Sequence, residues 1–304
     1  MTRYLITGAQ GFVGGYLAAR ILANERDAEI VGIGRSAASP ALPYRYRSVS
    51  LSDAAGLREL VREFRPHCVF HLAGALHTAP ERDLIEANVA GTACLMNALH
   101  GSDALVIAGS SGSVYGEPAS LPIAESAPCN PVDLYGATKL AAEQIARIKA
   151  RAIVARIFNV VGPGQSDAHV CGRIAAQLAS RRSTLEVGAL DTTRDFIDVR
   201  DVAAALLLLA HRGERGGTYN VASGRETPIH AVLSELIRIS GSTVAIESRT
   251  GLPRGVERHF ADVSRLERLG FAPAFSLGES LRDLFRHQKA ERHETQDPHR
   301  IAHQ

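Results

Sequence analysis

Short apolar runs alternate with amphipathic stretches through the first half of the chain. The apolar runs predict buried strands, and their sequences are RYLITG, EIVGIGR, CVFHLAG, ALVIAG and AIVARIFN. The stretches GGYLAARILAN, AAGLRELVREF, RDLIEANVAGTACLMNALH and LYGATKLAAEQIARIKA have the apolar spacing of helices. Strands that alternate with helices predict an α/β fold, in which a parallel sheet is doubly wound by helices on both faces.

Beyond about Gly162 the alternation becomes irregular. TLEVG, RDFIDVRDVAAALLLLAHR and PIHAVLSELIRISG predict a smaller α+β unit, interleaved with the last elements of the main sheet. We therefore expect a first domain over 1–162, whose sheet is completed by later segments, and a smaller C-terminal α+β domain over most of 163–287. The polar, aperiodic end, 288–304, predicts a disordered tail whose histidines are solvated and bind no metal.

The composition gives little support to several classes of function. A net charge of +2 on 304 residues gives no reason to expect nucleic acid or an anionic membrane as a partner. No apolar run reaches the roughly 18–20 residues that span a bilayer, and the first strand begins without a signal peptide, so we expect a cytoplasmic protein. The scattered cysteines predict buried free thiols and no metal site; they are Cys68, Cys94, Cys129 and Cys171.

Three glycines lie between the first strand and the first helix, at Gly8, Gly11 and Gly14 of TGAQGFVGG. Backbone N–H groups at a helix N-terminus bind a pyrophosphate, and side chains there would hold it away. The third glycine lets the helix pack close to the strand. This context favours a dinucleotide site of Rossmann type, with Phe12 and Val13 at the same turn, over a purely structural turn.

The end of the second strand bears on the choice of dinucleotide. An NAD site usually has an acidic residue here for the ribose hydroxyls, whereas this chain has Gly34, Arg35 and Ser36. A guanidinium with no neighbouring carboxylate can bind a 2′-phosphate, which favours NADP over NAD. The alternative is that Arg35 is an ordinary surface residue after a strand.

Two further segments are expected to line the adenine and the nicotinamide ribose. They are SLSD around Leu51, and HLAG with Leu72, Ala73 and Gly74. The glycine of HLAG has an equally good alternative as a packing requirement.

Tyr135 and Lys139 in YGATK lie four residues apart, and therefore on one face of a helix. A phenol with an unperturbed pKa near ~10 is a poor acid–base catalyst at neutral pH. We expect the neighbouring ammonium, together with an oxidised nicotinamide, to bring the pKa of Tyr135 closer to the working pH. A serine opposite the pair would hold the substrate oxygen, and SSGSVYG, Ser110 to Gly116, supplies one.

With these residues the chain resembles the extended short-chain dehydrogenase/reductases of the NAD-dependent epimerase/dehydratase family, which act on nucleotide sugars. The resemblance extends to about residue 286 and depends on TGxxGxxG, SSxxVYG, YxxxK, RIFNVVGPGQ, RDFIDVRDV and YNVASG. It implies that Ser111 holds the substrate oxygen, that Tyr135 is the acid–base and that Lys139 assists it. Dehydratases of the family have an acid pair where this chain has Gly112 and Ser113, so dehydration is disfavoured. Gly112 and Ser113 are expected to contact the substrate instead, and the alternative for Ser113, as for Ser110, is to cap the turn.

The same resemblance implies binding roles in the second half of the chain. Phe158 would lie beside the nicotinamide, Asn159 and Arg194 would contact the substrate diphosphate, and Arg254 and Glu257 would hold a phosphate and the nucleotide ribose. His77 is a candidate to face the substrate, with a solvated histidine as an equal alternative. The alternative for Arg194 is an ion pair with Asp195 or Asp198, and Gly255 stands where a proline is usual.

The segment after GPGQ resembles GDP-4-keto-6-deoxymannose reductases more than UDP-galactose epimerases. We therefore expect NADP-dependent reduction of the C4 keto group of a nucleotide-diphospho-4-keto-6-deoxysugar, GDP-linked by resemblance. The alternatives are a 4-epimerase of the same family with tightly bound NAD, and a non-catalytic protein that senses the cofactor. The resemblance also implies a homodimer through a four-helix bundle, formed by the helices that contain ATKLAAEQIA and IEANVAGTACLMNAL.

Overall fold

A seven-stranded parallel sheet forms the centre of the structure, a computed structural model that describes residues 1–180, 182–248 and 256–296. Its order is β10-β6-β5-β4-β1-β2-β3, which is the doubly wound Rossmann order, so the predicted fold class is confirmed. The strands are β1 (Thr2–Thr7), β2 (Ala28–Gly34), β3 (Arg45–Ser48), β4 (Cys68–His71), β5 (Leu105–Ser111), β6 (Ile153–Ile157) and β10 (Thr218–Val221).

Helices cover both faces of this sheet, because successive side chains of a strand point to opposite sides. Tyr4 and Ile6 of β1 pack in one cluster with α1 (Phe12–Asn24) and α7 (Val199–Arg212). Leu5 packs in the opposite cluster with α2 (Ala54–Phe64), α4 (Gly91–Ala98) and α5 (Leu134–Ala150). Helix α4 continues α3 (Glu81–Leu84) through a π-helical segment, Ile85–Ala90. Burial on both faces explains why the strands are almost continuously apolar.

A separate core lies beyond the main sheet. It is built by α6 (Val170–Ala179), α8 (Ile229–Ser240) and α10 (Leu277–Gln296), together with strands of two smaller sheets. In one sheet β9 (Thr193–Asp198) pairs with β7 (Asn159–Val161), β11 (Glu226–Pro228) and β13 (Arg258–His259), and in the other β8 (Thr184–Val187) pairs with β12 (Ala245–Ser248). Strand β10 completes the main sheet and α7 covers one of its faces. The fold of the first half of the chain therefore depends on later segments. The domain limits at 162 and 287 stay predictions.

Two local features differ from the sequence analysis. Strand β3 was not predicted because its sequence, RYRS, is an exposed edge with little apolar pattern. Helix α10 continues to Gln296, so 288–296 is helical where the sequence predicted a disordered tail. Its buried Leu281 and Leu284 anchor the helix, and the buried Gln288 donates from Nε2 to the Gln165 carbonyl at 3.1 Å. Residues 297–304 lie outside the described part of the chain.

The cysteines are free thiols, but they are not equally buried. Cys68 and Cys171 are buried, whereas Cys94 and Cys129 are only partly buried. Throughout the described segments, no helix is both long enough and apolar enough to traverse a bilayer.

A buried ion pair connects β5, α5 and β6. Glu143 of α5 accepts two hydrogen bonds from the Arg156 guanidinium of β6, at 3.0 and 2.9 Å. The side chains are 1% and 6% exposed, respectively. Ser110 of β5 donates to the same carboxylate at 2.5 Å. This pair therefore fixes the end of β5 against the helix that carries Tyr135 and Lys139.

A second connection joins this region to the end of the chain. Tyr115, whose ring lies 4.7 Å from the Arg156 guanidinium carbon, donates its hydroxyl to Asn220 Oδ1 at 2.6 Å. Asn220 of β10 donates in turn to the carbonyls of Ile123 and Asp262, at 2.8 and 3.0 Å. Three distant segments thus meet at one buried amide.

We expect Arg156→Met to lower the free energy of unfolding by about 3–5 kcal/mol, because it leaves the Glu143 carboxylate buried without its cation. Denaturant unfolding measures this difference. The double variant Glu143→Leu/Arg156→Met serves as the control, and it should lose less than the single variant because no charge stays unpaired. A single variant within 1 kcal/mol of wild type would show that the pair contributes little.

Candidate active site

The glycine turn after β1 is dictated by close backbone contacts. Gly8 has φ +70°, and a Cβ there would lie 3.0 Å from Ala73 backbone atoms. A Cβ on Gly14 would lie 2.2 Å from the Gly8 carbonyl oxygen, so only glycine fits. Gly11 is the N-cap of α1 and has no side chain to occupy the helix N-terminus. The turn therefore fits a pyrophosphate bound to helix N–H groups, as a dinucleotide requires.

The opposite wall of this turn is held by a buried polar relay. Thr7 Oγ1 accepts from the backbone N–H groups of Leu72 and Ala73, at 3.1 and 3.0 Å. His71 contacts Thr7 Oγ1 and Thr92 Oγ1, both at 2.9 Å. Burial, with a smaller contribution from Lys139, lowers the pKa of His71 to about 3, so the ring is neutral. The relay fixes the segment that faces Gly8.

One large cavity, of about 790 Å³, runs along the carboxyl ends of the main strands. Ligands of doubly wound sheets bind at this edge, where the strand order reverses. The cavity brings together most of the residues predicted for the cofactor and the reaction. They are Gly8, Gly11, Phe12, Val13, Gly14, Leu72, Ala73, Gly74, His77, Ser111, Ser113, Tyr135, Lys139, Phe158 and Asn159.

Ser111 ends β5 and caps the 3₁₀ turn Gly112–Tyr115. Its Oγ accepts from the Ser113 N–H at 3.1 Å and donates to Ser113 Oγ at 3.2 Å. Lys139 is partly buried, and its Nζ donates to the Gly109 carbonyl of β5 at 2.6 Å. The serine and the lysine therefore approach the same space from the end of β5 and from α5.

The electrostatics of the pair differ from the sequence expectation. Burial raises the pKa of Tyr135, while a hydrogen bond with Ser111 opposes the increase and Asp133 adds to it. Burial lowers the pKa of Lys139 to about 8, against a smaller opposing effect of Glu143. The ammonium therefore does not dominate the pKa of Tyr135 in the cofactor-free protein. The phenol keeps its proton at neutral pH, which suits a general acid.

A smaller cavity, of about 200 Å³, adjoins the first at Ser111, Ser113, Phe158 and Asn159. Arg194 of β9 lines it and donates from Nη1 to the Thr193 carbonyl, at 2.7 Å. Burial lowers the pKa of Arg194. Among the described residues no carboxylate forms an ion pair with this guanidinium. A partly buried cation of this kind favours an anionic ligand.

The carboxylates considered as alternative partners of Arg194 are engaged elsewhere. Asp195 accepts from the backbone N–H groups of Ser223, Gly224 and Ala261 and from the Ser223 hydroxyl. Asp198 accepts from Arg200 and from Ser280. Asp201 accepts from the N–H groups of Ala274 and Phe275. The three aspartates of RDFIDVRDV therefore have structural roles.

Gly112 also lines the smaller cavity, and its neighbours explain the missing side chain. A Cβ at this position would lie 2.9 Å from His259 Cε1 and 3.1 Å from the Phe158 ring. The two rings stack with centroids 5.0 Å apart. Burial, together with Arg194, lowers the pKa of His259 to about 4, so its ring is neutral. An acidic side chain at 112 has no room without movement of both rings.

Several predicted residues lie away from both cavities. Arg35 and Ser36 are exposed after β2, and Leu51 packs against Gly91. Glu257 is exposed, and its backbone carbonyl accepts a hydrogen bond from the Thr193 N–H at 2.9 Å. Arg254 lies outside the described residues.

Three residues near the cavities were missed by the sequence analysis. Asn88 in the π-helical segment accepts from the Ala75 N–H at 2.8 Å and donates to Thr138 Oγ1 at 3.0 Å, so it links the HLAG segment to α5. Its position on a mostly apolar helix face was the available signal. His169 lies 5.6 Å from His77, between ring centroids, and lines the large cavity. Neither His169 nor His259 had a motif to identify it.

The His77 ring lies 6.2 Å from the Tyr135 ring, between centroids. His77 therefore lies near Tyr135 in the large cavity, and its role toward a substrate stays a prediction. Within the described ranges, no group of three or more His, Cys, Asp or Glu residues is arranged to hold a metal ion.

Comparison with known proteins extends these observations. Residues 4–222 match the family described as "NAD dependent epimerase/dehydratase family". The chain is 34% identical over 304 residues to GDP-6-deoxy-D-mannose reductase of Pseudomonas aeruginosa, covering 93% of this chain and 95% of that one. It is 30% identical over 309 residues to a UDP-glucose 4-epimerase of Azospirillum brasilense, covering 89% and 87%.

A solved structure shows the same fold. RMD from Pseudomonas aeruginosa, complexed with NADPH, superposes with a TM-score of 0.84 at 32% identity, covering 96% of this chain and 100% of that one. The glycine turn, the convergence of Ser111, Tyr135 and Lys139, and the sequence match agree with one another. The chain is an oxidoreductase-type enzyme that belongs to the NAD dependent epimerase/dehydratase family.

Proposed function

We propose that the protein uses NADPH to reduce the C4 keto group of a nucleotide-diphospho-4-keto-6-deoxysugar. The observation that carries this proposal is the convergence of Ser111, Tyr135 and Lys139 in one cavity with the glycine turn. The similarity to GDP-6-deoxy-D-mannose reductase supports a GDP-linked substrate. The protonated state of Tyr135 supports the reductive direction, which needs an acid for the oxygen formed.

The roles of the residues follow from their positions. The glycine turn and Lys139 would hold a reduced nicotinamide dinucleotide, which when bound would supply hydride for the carbonyl carbon. Ser111 Oγ donates a hydrogen bond to the carbonyl oxygen, and Tyr135 Oη transfers its proton to that oxygen as negative charge develops there. The Lys139 ammonium, anchored on the Gly109 carbonyl, stabilises the phenolate that remains. The product is the C4 alcohol.

The cofactor preference depends on the end of β2. Among the described residues the Arg35 guanidinium has no ion-pair partner, and no carboxylate follows Gly34. A free guanidinium at this place suits the 2′-phosphate of NADPH. The NADPH complex of the Pseudomonas aeruginosa RMD supports this choice over NAD.

The smaller cavity supports the nucleotide-sugar part of the proposal. Arg194 offers a partly buried cation for a diphosphate, and Asn159 lines both cavities, between the reacting end and Arg194. We assign 1–162 to the cofactor and 163–287 mostly to the substrate, with Arg194 in the second range and Asn159 at the end of the first. Glu257 and Arg254 remain candidates for the nucleotide ribose and a phosphate.

A homodimer is the second part of the proposal. The helices predicted to form the four-helix bundle carry exposed apolar side chains, with Ile85 51% and Ile148 79% exposed. Single exposed apolar residues are common, but these two lie on the helices that the family resemblance assigns to the interface.

The reaction is tested with NADPH and 4-keto-6-deoxyhexoses linked to GDP, UDP and dTDP. We expect stoichiometric loss of NADPH absorbance and a C4 alcohol by NMR, with the highest kcat/KM for the GDP sugar. A 4-epimerase, which similarity to the UDP-glucose 4-epimerase also suggests, would instead invert the C4 hydroxyl of a sugar such as UDP-glucose without net NADPH loss, and would not reduce the 4-keto sugars. That result, or no reaction with any sugar, would contradict the proposal.

Tyr135→Phe should lower kcat by at least about a hundredfold, because the ring stays and the transferable proton is lost. The dissociation constant for NADPH, measured by fluorescence titration, should change less than about threefold, as other groups hold the cofactor. Tyr219→Phe, which removes a phenol hydroxyl on β10 outside both cavities, is the matched control and should keep most of the activity. A Tyr135→Phe variant with near wild-type kcat would overturn the mechanism.

The pH dependence follows from the pKa of Lys139, about 8. The Lys139 amine is fully protonated well below this pH and loses its charge as the pH rises through about 8. The NADPH-dependent kcat/KM should therefore fall above about pH 8. In Lys139→Arg the guanidinium stays charged, and the falling limb should move to higher pH, whatever the absolute rate. An unchanged limb in this variant would show that another group controls the pH dependence.

A further inference from the structure

Gln10 connects the glycine turn to the loop that follows β2. Its Nε2 donates to the Ala37 carbonyl at 2.9 Å, and its Oε1 accepts from the Ser39 N–H at 2.9 Å. The residue stands between Gly8 and Gly11 in TGAQGFVGG. One side chain therefore uses both ends of its amide to hold a loop on the neighbouring strand.

The held loop carries the groups proposed to select NADPH. Arg35 and Ser36 directly precede Ala37, and all three residues are exposed. The base of the loop is held separately, because Ser48 of β3 donates to the Arg35 carbonyl at 3.2 Å. Gln10 thus holds the far side of a short segment whose near side is already fixed.

The tyrosines packed beneath the loop hold other segments than Gln10 does. Tyr44 donates its hydroxyl to the Ala9 carbonyl at 3.0 Å, and Tyr46 covers Gly34, where a Cβ would lie 2.5 Å from its hydroxyl. These tyrosines fix β3 against the glycine turn. Within the described residues neither tyrosine forms a hydrogen bond with the segment from Ser36 to Ser39. The side chain that holds this segment is Gln10.

We propose that Gln10 is a positioning residue for cofactor selection, which holds the loop after β2 so that Arg35 and Ser36 meet the 2′-phosphate of NADPH. This inference rests on the proposed preference for NADPH. Gln10 acts through the loop and needs no contact with the phosphate. Its loss should therefore weaken NADPH binding and leave NADH binding, which lacks the 2′-phosphate, nearly unchanged.

The test is the pair of dissociation constants for NADPH and NADH, measured by nicotinamide fluorescence on the full chain. In Gln10→Ala we expect the NADPH constant to rise about tenfold, the size of effect that loss of neutral hydrogen bonds produces, and the NADH constant to change less than about twofold. Gln10→Glu can still accept from the Ser39 N–H but cannot donate to the Ala37 carbonyl. It also adds a negative charge near the phosphate and should weaken NADPH binding further.

Arg35→Ala provides the cycle that separates positioning from general damage. In the Arg35→Ala background, Gln10→Ala should add less than about threefold to the NADPH constant, because the group that it positions is already absent. Equal weakening of NADPH and NADH, or an unchanged NADPH constant, would overturn the role of Gln10. A wild-type protein that binds NADH as tightly as NADPH would instead refute the proposed cofactor preference itself.

Discussion

The buried Glu143 carboxylate is the constraint on which the geometry of the reacting groups depends. Glu143 lies one helical turn beyond Lys139 and two beyond Tyr135, so the three side chains share the face of α5 that meets β5. Glu143 accepts hydrogen bonds from both Ser110 and Arg156. These bonds fix the position of α5 along the strand that ends at Ser111. The positions of Ser111 and Tyr135 therefore depend on an ion pair, Glu143–Arg156, that lines neither cavity.

At two glycines the absence of a side chain shapes the candidate site. Gly14 permits a backbone approach that no other residue allows, and Gly112 leaves space that the rings of Phe158 and His259 fill. The first creates a binding surface for phosphates. The second leaves no room for an acidic side chain at 112, so the proposal of carbonyl reduction over elimination has a steric argument beside the chemical one.

Much of this arrangement could be predicted from the sequence because its signals are local. The glycine turn, the Tyr135–Lys139 spacing and the strand–helix alternation each lie within a few residues of one another. His259 and Asn88 could not be assigned, since their roles arise from segments that meet only in the folded chain, at Gly112 and Ala75. The effect of burial on the pKa of Tyr135 could not be derived from the sequence for a related reason, because the degree of burial is set by the whole fold.

Asn220 makes a turn in the first half of the chain depend on segments near its end. The reacting serine and tyrosine belong to the first half of the chain, yet the turn between them is secured by an amide on β10 that in turn binds the Asp262 carbonyl. During synthesis the N-terminal strands can pair as they emerge. The Tyr115 hydroxyl has this partner only when β10 and the segment at Asp262 are in place, so the turn after β5 depends on residues that are synthesised well after it.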